Sequence, residues 1–400
     1  MVTTVHGIDH TTLRCRPDEL PAMAAFYTDL LGMVEGPRPA FPFPGHWLSL
    51  EGWPRIHLAG IAPAGPDGSG RQDRGCVDHI AFRASGLDAM RDRLTQRGVP
   101  YAEQPVPGLP LLQLFLADPC GMKIELSFDL LDEAAAHPEP LRFIEANGTR
   151  TAFTMAGSGA PLLMLHGGEA DHAMFEALGR QLRRHFTVVS PDQRDSGATT
   201  HSSTSYDLAD LAADAAAMLD ALGIERCHVY GTSLGGQIAQ VLACRHPARI
   251  GQLILGSSWR VGRSLVDIAP GTAQELTCLR ADALRHAAEI ARYFFPPLAL
   301  QLRPALVSIF SGGTRSADMR ARRAALMSSP PCIDLRAVQA RTLLLLGNED
   351  RLVPSAASIA LADEIEDATI DAMPGVGHVG ALQAPIEVAA CIRRFLEDES

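Results

Sequence analysis

Along the first 130 residues, hydrophobic and polar positions alternate with a period of two, pass into a helix-period stretch, and return to short β-rich runs; the whole cycle occurs twice. The first cycle opens on Gly7-Ile8-Asp9-His10-Thr11-Thr12-Leu13-Arg14 and the second on Cys76-Val77-Asp78-His79-Ile80-Ala81-Phe82-Arg83. Their ends also match, Arg55-Ile56-His57-Leu58 against Lys123-Ile124-Glu125-Leu126, within one residue of the same offset. Helical spacing covers 17–31 in the first copy and 86–97 in the second. In the second copy, strands at 111–116 and 122–128 flank the turn Asp118-Pro119-Cys120-Gly121. Each half is therefore expected to be a β-α-β-β-β module of an α+β domain, with the Gly, Pro and Asp-rich stretch 62–75 as the joining loop.

From residue 142 the pattern changes. A hairpin-like start over 142–155 leads into predicted buried strands at 161–165, 186–190, 228–230, 252–255 and 342–346, with amphipathic helices predicted at 206–222 and 237–245. Strands that are apolar on both faces, separated by helices, predict a doubly wound, mostly parallel α/β sheet. Between about 258 and 336 the alternation lapses into Ala- and Arg-rich helical sequence with the breaker pairs Pro296-Pro297 and Pro330-Pro331, which predicts a helical cap. The polar, Ala-rich passage 132–140 suits a linker better than a strand or a helix, so the expected division is 1–130, linker 131–141, and 142–400.

Composition narrows the function classes. With 400 residues, 46% hydrophobic and 20% charged, two globular domains are expected and long disordered tails are not. The 35 Lys and Arg against 46 Asp and Glu leave a net charge of -11, with no cationic surplus for a nucleic acid or an anionic membrane. No apolar run approaches the roughly 20 residues of a membrane span, and MVTTVHGIDH lacks a basic segment followed by an apolar one, so a cytoplasmic protein is expected. The 8 cysteines are scattered without a CxxC and read as reduced thiols.

Tyr230-Gly231-Thr232-Ser233-Leu234-Gly235-Gly236 holds G-x-S-x-G between a predicted strand and a predicted helix. The glycines permit a sharp turn that exposes Ser233, and the helix start offers backbone donors. A serine hydroxyl needs a base and an orienting acid downstream. Asp350, in Gly347-Asn348-Glu349-Asp350, is the acid, with Glu349 as its neighbouring alternative; His378, in Pro374-Gly375-Val376-Gly377-His378, is the base. Leu165-His166-Gly167-Gly168 can present the Gly168 N–H to an oxyanion beside the N–H of Leu234, with His166 bracing the loop.

On these elements residues 142–400 resemble the α/β-hydrolase superfamily, which implies an acyl-enzyme esterase or lactonase needing no cofactor. Pro191-Asp192-Gln193-Arg194-Asp195-Ser196-Gly197 is similar to the D-x-R-G-x-G segment of its esterases and enol-lactonases, with Asp195 where many members carry Gly. Residues 5–130, with Asp9-His10 and Asp78-His79 opening the halves and His57 and Glu125 near their ends, resemble the vicinal oxygen chelate superfamily of glyoxalase-type, extradiol dioxygenase and antibiotic-resistance proteins. Phe26-Tyr27-Thr28-Asp29-Leu30-Leu31-Gly32 matches a signature of the same family. The resemblance implies a cup whose metal ligands are His10, His57, His79 and Glu125, with His57 standing where glyoxalases commonly have a carboxylate. Imidazoles with one carboxylate suit Fe, Mn, Ni, Co or Zn as a divalent ion. The expectation is a serine hydrolase fused to a metal-binding cup that acts on or binds the same small molecule. A metal-free binding or dimerisation module, and a ring-cleavage dioxygenase joined to a C–C bond hydrolase, are the alternatives. No nucleic-acid or membrane partner is expected, and a homo-oligomer would form through the N-terminal domain.

Overall fold

The doubled strand pattern of the N-terminal region folds into one sheet of eight strands: β1 (Thr4–Cys15), β2 (Val34–Gly36), β3 (Gly45–Leu50), β4 (Trp53–Gly60), β5 (Val77–Ser85), β6 (Ala102–Pro105), β7 (Leu111–Ala117) and β8 (Lys123–Asp129). This computed structural model describes residues 3–30, 32–61, 77–117, 122–200, 204–311, 316–326, 331 and 333–398. The loop 62–75, the turn 118–121, Leu31, Pro330, Cys76, Cys120 and Cys332 lie outside the described residues. The sheet order β2-β3-β4-β1-β5-β8-β7-β6 is symmetric about its centre: β1 runs parallel to β4, β5 parallel to β8, and β1 antiparallel to β5. Thr12 lies opposite both His57 and His79 in register, so strand alternation brings the singled-out histidines to one face.

Two expectations need correction. The first helix is not continuous over 17–31: an α-helix spans only Leu20–Ala25 and a π-helical turn follows over Phe26–Leu30. Its start is delayed by a turn in which the Glu19 carboxylate accepts the Arg16 N–H, satisfying the backbone outside a helix. The passage beginning at 131 is not plain linker either, because Leu130–Ala135 is helical. Asp129 caps this helix by accepting the N–H groups of Leu131 and Asp132, while Leu130 and Ala134 are buried. Two side chains facing inward are enough to fix a short helix whose composition is otherwise polar.

The chain divides into one unit of Met1–Ala136 with Pro297–Arg303, and a second of His137–Pro296 with Pro304–Ser400. In the second unit another eight-stranded sheet contains β9 (Arg142–Ala146), β10 (Thr149–Gly157), β11 (Ala160–Leu165), β12 (Phe186–Pro191), β13 (Cys227–Thr232), β14 (Ile250–Gly256), β15 (Thr342–Gly347) and β16 (Ala368–Met373). Its order is β16-β15-β14-β13-β11-β12-β10-β9, with β11 to β16 parallel and the β9–β10 hairpin antiparallel at one edge. Leu163, Leu165, Val229 and Leu253 pack under helices Leu208–Ala221 and Leu234–Arg245; Leu162, Met164 and Ile254 pack under Glu176–Leu182 and Pro385–Glu397. Both faces of the central strands are thus covered, which explains their largely apolar composition.

Helix Leu234–Arg245 begins three residues before the predicted start at 237, because the turn at Ser233 is itself the N-cap. Between β14 and β15 lie helices Leu265–Ile268, Pro270–Arg280, Ala283–Phe294 and Pro297–Leu302, a 3₁₀ turn Pro304–Phe310, and helix Ala317–Ala325. Among the described residues no helix is long and apolar enough to cross a membrane.

Candidate active site

The serine elbow is a place where side chains have been removed so that backbones can touch. A Cβ on Gly231 would lie 2.3 Å from the Gly235 carbonyl oxygen, and one on Gly235 would lie 2.0 Å from that of Leu165. Only glycine allows this approach, and it forces Ser233 to φ 54° and ψ −121°. Such a backbone costs on the order of 1–3 kcal/mol and must be held by its surroundings. The Ser233 N–H donates to the Gly256 carbonyl at 2.9 Å, and the Ser258 hydroxyl donates to the Ser233 carbonyl at 2.9 Å. The side chain is thereby presented at the N-terminus of helix Leu234–Arg245.

Asp350 follows β15, and its two oxygens have separate tasks. One accepts the N–H groups of Leu352 and Val353 at 2.8 and 2.9 Å; the other meets Nδ1 of His378 at 2.8 Å. A carboxylate only accepts, so the imidazole proton sits on Nδ1 and Nε2 is left as the basic atom. Glu349, the alternative acid, is exposed. The backbone N–H of His378 donates to the Phe294 carbonyl at 2.9 Å, and the Phe294 ring stands edge-on to the imidazole, 5.5 Å between centroids. Ser233, His378, Gly167, Gly168 and Leu234 all line one cavity of about 400 Å³, walled by Trp259, Phe294, Phe295 and Phe310.

His166 is fully buried, and its ring joins two loops. Its Nε2 accepts the Gln193 N–H at 3.1 Å, so its Nδ1 carries the proton and donates to the Gly167 carbonyl at 2.8 Å. Asp195, at φ 57°, is also fully buried and takes a bidentate pair from Arg322 at 2.7 and 2.9 Å. No sequence pattern singles out the arginines of helix Ala317–Ala325; the departure from Gly at Asp195 is the one available signal.

In the N-terminal unit the cup brings together three of the four expected ligands. One donor atom from each of His10, His79 and Glu125 lies within 4.8 Å of the others, and all three residues are buried. The two Nε2 atoms are 3.2 Å apart, and a Glu125 oxygen lies 3.0 Å from that of His79. Behind each ring stands a carboxylate: Asp9 at 2.9 Å from His10 Nδ1 and Asp78 at 2.8 Å from His79 Nδ1. Burial pushes the Asp78 carboxyl up, but the bonds from His79 and Lys123 and the charges of Lys123 and Arg14 hold it well below the usual carboxylate range. Gln113 donates to the second oxygen of Glu125 at 2.7 Å.

The fourth expected ligand, His57, is not in this group. Its ring is stacked between Trp47 and His10, at centroid distances of 4.0 and 3.7 Å, and its Nε2 is buried without a hydrogen bond. Burial, then the neighbouring His10 and His79, hold it well below the ordinary imidazole value, so it is a neutral ring.

A family model for the alpha/beta hydrolase fold matches residues 160–385. The chain belongs to the α/β hydrolase fold family. A second model, for the Glyoxalase/Bleomycin resistance protein/Dioxygenase superfamily, matches residues 7–126, so this α/β hydrolase carries a glyoxalase-type domain at its N-terminal side. RutD of Variovorax paradoxus (strain S110), named for carbamate hydrolysis, is 31% identical over 228 residues, covering 55% of this chain and 84% of its own. The 2-hydroxymuconate semialdehyde hydrolase of Pseudomonas sp. (strain CF600) is 29% identical over 285 residues, covering 65% of this chain and 95% of its own. Among solved structures, Est816, described as an N-acyl homoserine lactone degrading enzyme, superposes with a TM-score of 0.56 at 25% identity over 64% of this chain and 100% of its own. The meta-cleavage product hydrolase of Pseudomonas fluorescens IP01 shares the fold, with a TM-score of 0.56 at 19% identity over 65% of this chain and 98% of its own. The chain is accordingly a hydrolase of the α/β-hydrolase superfamily.

Proposed function

We propose that the C-terminal unit cleaves an ester, lactone or similarly activated carbonyl through an acyl-enzyme on Ser233. The observation that supports this most is the Asp350-fixed imidazole of His378 lining the same cavity as the strained Ser233. His378 Nε2 takes the Ser233 proton as Oγ bonds to the substrate carbonyl carbon, and the oxygen turns into an alkoxide facing the N–H groups of Leu234 and Gly168. Collapse expels the leaving group, which receives the proton from His378. Water then gives its proton to His378, attacks the acyl carbon, and releases the acid with Ser233 restored. Asp350 stabilises the imidazolium in both steps. Ser233→Ala is expected to abolish turnover of p-nitrophenyl esters, and a fluorophosphonate should add one equivalent to the native chain and none to the variant. Turnover surviving in Ser233→Ala would exclude the acyl-enzyme.

A second reading concerns the cup, and the donor set carries it. Two Nε2 lone pairs and a carboxylate that all face one another, each imidazole backed by an Asp, fit a divalent cation held by His10, His79 and Glu125. Two imidazoles and one carboxylate form the donor set of non-haem Fe(II) oxygenases. Such an ion, when bound, supplies Lewis acidity and dioxygen chemistry toward a substrate with vicinal oxygens. Ring opening in one unit and hydrolysis of the resulting activated carbonyl at Ser233 in the other is the reading this favours, and relatives named as semialdehyde hydrolases agree with it. Metal analysis of the purified chain should find about one equivalent, lost in His10→Ala/Glu125→Ala. No metal in either protein would leave a binding or dimerisation module.

A further inference from the structure

The oxyanion loop is held from two sides, and one of them is the cap. Gly168 sits in a stretch outside any helix or strand, where glycine has the widest conformational freedom of any residue. A donor there is useful only if its peptide is fixed. On the sheet side, His166 Nδ1–H holds the Gly167 carbonyl at 2.8 Å. In a trans peptide the C=O and N–H point in opposite directions, so this bond aims the Gly168 N–H away from His166. On the other side, Arg323 of helix Ala317–Ala325 donates its Nε–H to the Gly168 carbonyl at 3.0 Å.

The same guanidinium reaches two further oxygens, the Arg194 carbonyl at 2.9 Å and the Gln193 side-chain oxygen at 2.9 Å. Gln193 in turn donates from its side chain to the His166 carbonyl at 2.7 Å and from its backbone to His166 Nε2 at 3.1 Å. Arg323, Gln193 and His166 therefore form one closed network around the two peptides that flank Gly168. The planar fork of arginine suits such divergent acceptors, and at 8% exposure Arg323 is buried among them. The neighbouring Arg322 docks the same helix by its bidentate pair with the fully buried Asp195.

We infer that Arg323 is a positioning residue for hydrolysis: it couples the docked cap helix to the geometry of the Gly168 oxyanion donor, and the Asp195–Arg322 pair sets the helix for that task. The inference rests on the acyl-enzyme reading, and its test separates the two. Kinetics are compared in the native chain, Arg323→Met and Ser233→Ala with the p-nitrophenyl ester turned over fastest. The affinity of a matched trifluoromethyl ketone, whose adduct with Ser233 places an oxyanion in the same hole, is measured alongside. Arg323→Met is expected to lower kcat by about 30- to 100-fold and to weaken the ketone by a similar factor, with KM within about threefold. A purely structural role would not move the ketone in step with kcat. Unchanged kcat and ketone affinity, or a raised KM at constant kcat, overturns the inference while an inactive Ser233→Ala leaves the acyl-enzyme standing; an active Ser233→Ala removes both. Should Arg323→Met not fold, Arg322→Met frees the helix while keeping Arg323, and the same split at about fivefold is expected; unchanged kcat there overturns the coupling.

Discussion

In the hydrolase unit Asp350 takes the Nδ1–H of His378 at 2.8 Å, and in the N-terminal unit Asp9 and Asp78 stand behind His10 and His79 at 2.9 and 2.8 Å. The local device is the same: a carboxylate fixes the tautomer and ring plane and leaves Nε2 with its lone pair. What differs is the atom in front. His378 lines a cavity of about 400 Å³ that Ser233 also lines. His10 and His79 face each other and Glu125 across 3.0 to 3.7 Å, with the Thr12 hydroxyl 2.9 Å from the Nε2 of His79, so several nitrogen and oxygen atoms able to bind a cation converge on one point. On the readings proposed above, one arrangement serves as a base and the other as a ligand set, and the difference lies in what lines the opposite wall.

Replacing the two kinds of carboxylate would sharpen that contrast. Asp350→Asn leaves a side chain of the same shape that stabilises the wrong tautomer, and kcat for ester hydrolysis is expected to fall by roughly 10⁴-fold with little change in KM. A loss below tenfold would mean that His378 does not work as the base. Asp78→Asn, the equivalent change in the cup, is expected to weaken divalent-metal affinity by about 10- to 100-fold in a competition titration. Hydrolysis by the same variant should be unaffected, and metal affinity equal to that of the native chain would break the analogy between the two sites.

Much of both sites is legible in the sequence because short-range pattern carries it. The strands β11 to β15 are apolar on both faces and can be read directly, and G-x-S-x-G falls where a strand meets a helix. The repeat by itself sets His10 against His79, since equivalent strands of two copies meet at a pseudo-two-fold axis. Helix Leu130–Ala135 escapes such a reading because its burial rests on two side chains. The strand position of His57 puts it among the ligands, but aromatic stacking between Trp47 and His10 decides where its ring goes, and no local pattern encodes that partner. The Arg323 contact with Gly168 joins residues 155 positions apart, which periodicity cannot reach.

A third pair, His172 with Asp192, tests whether the carboxylate–imidazole device has an effect outside the two candidate sites. The buried Asp192 accepts both the backbone N–H and Nδ1 of His172, at 2.8 and 2.7 Å, and the Ala198 N–H at 2.7 Å. The Asp192 bond raises the His172 pKa, outweighing burial. Burial pushes Asp192 up, but the bonds from His172 and Ala198 lower it below the usual range. A raised histidine stabilises the fold fully below its unfolded pKa, about 6.5, and loses that contribution as pH rises through the folded value. A lowered aspartate contributes above its unfolded pKa, about 3.9, and loses it as pH falls through the folded value. The pair is therefore worth most between about pH 4 and 6.5. His172→Gln keeps the backbone N–H and removes the charge, so it is expected to destabilise by on the order of 1–2 kcal/mol at pH 5.5 and by clearly less at pH 9, in urea denaturation at both values. Hydrolysis at neutral pH should stay within about twofold, since neither residue lines the cavity that holds Ser233. A loss of stability that is the same at both pH values would mean that the pair acts by shape alone, and the charge logic drawn from the other two sites would not extend to it.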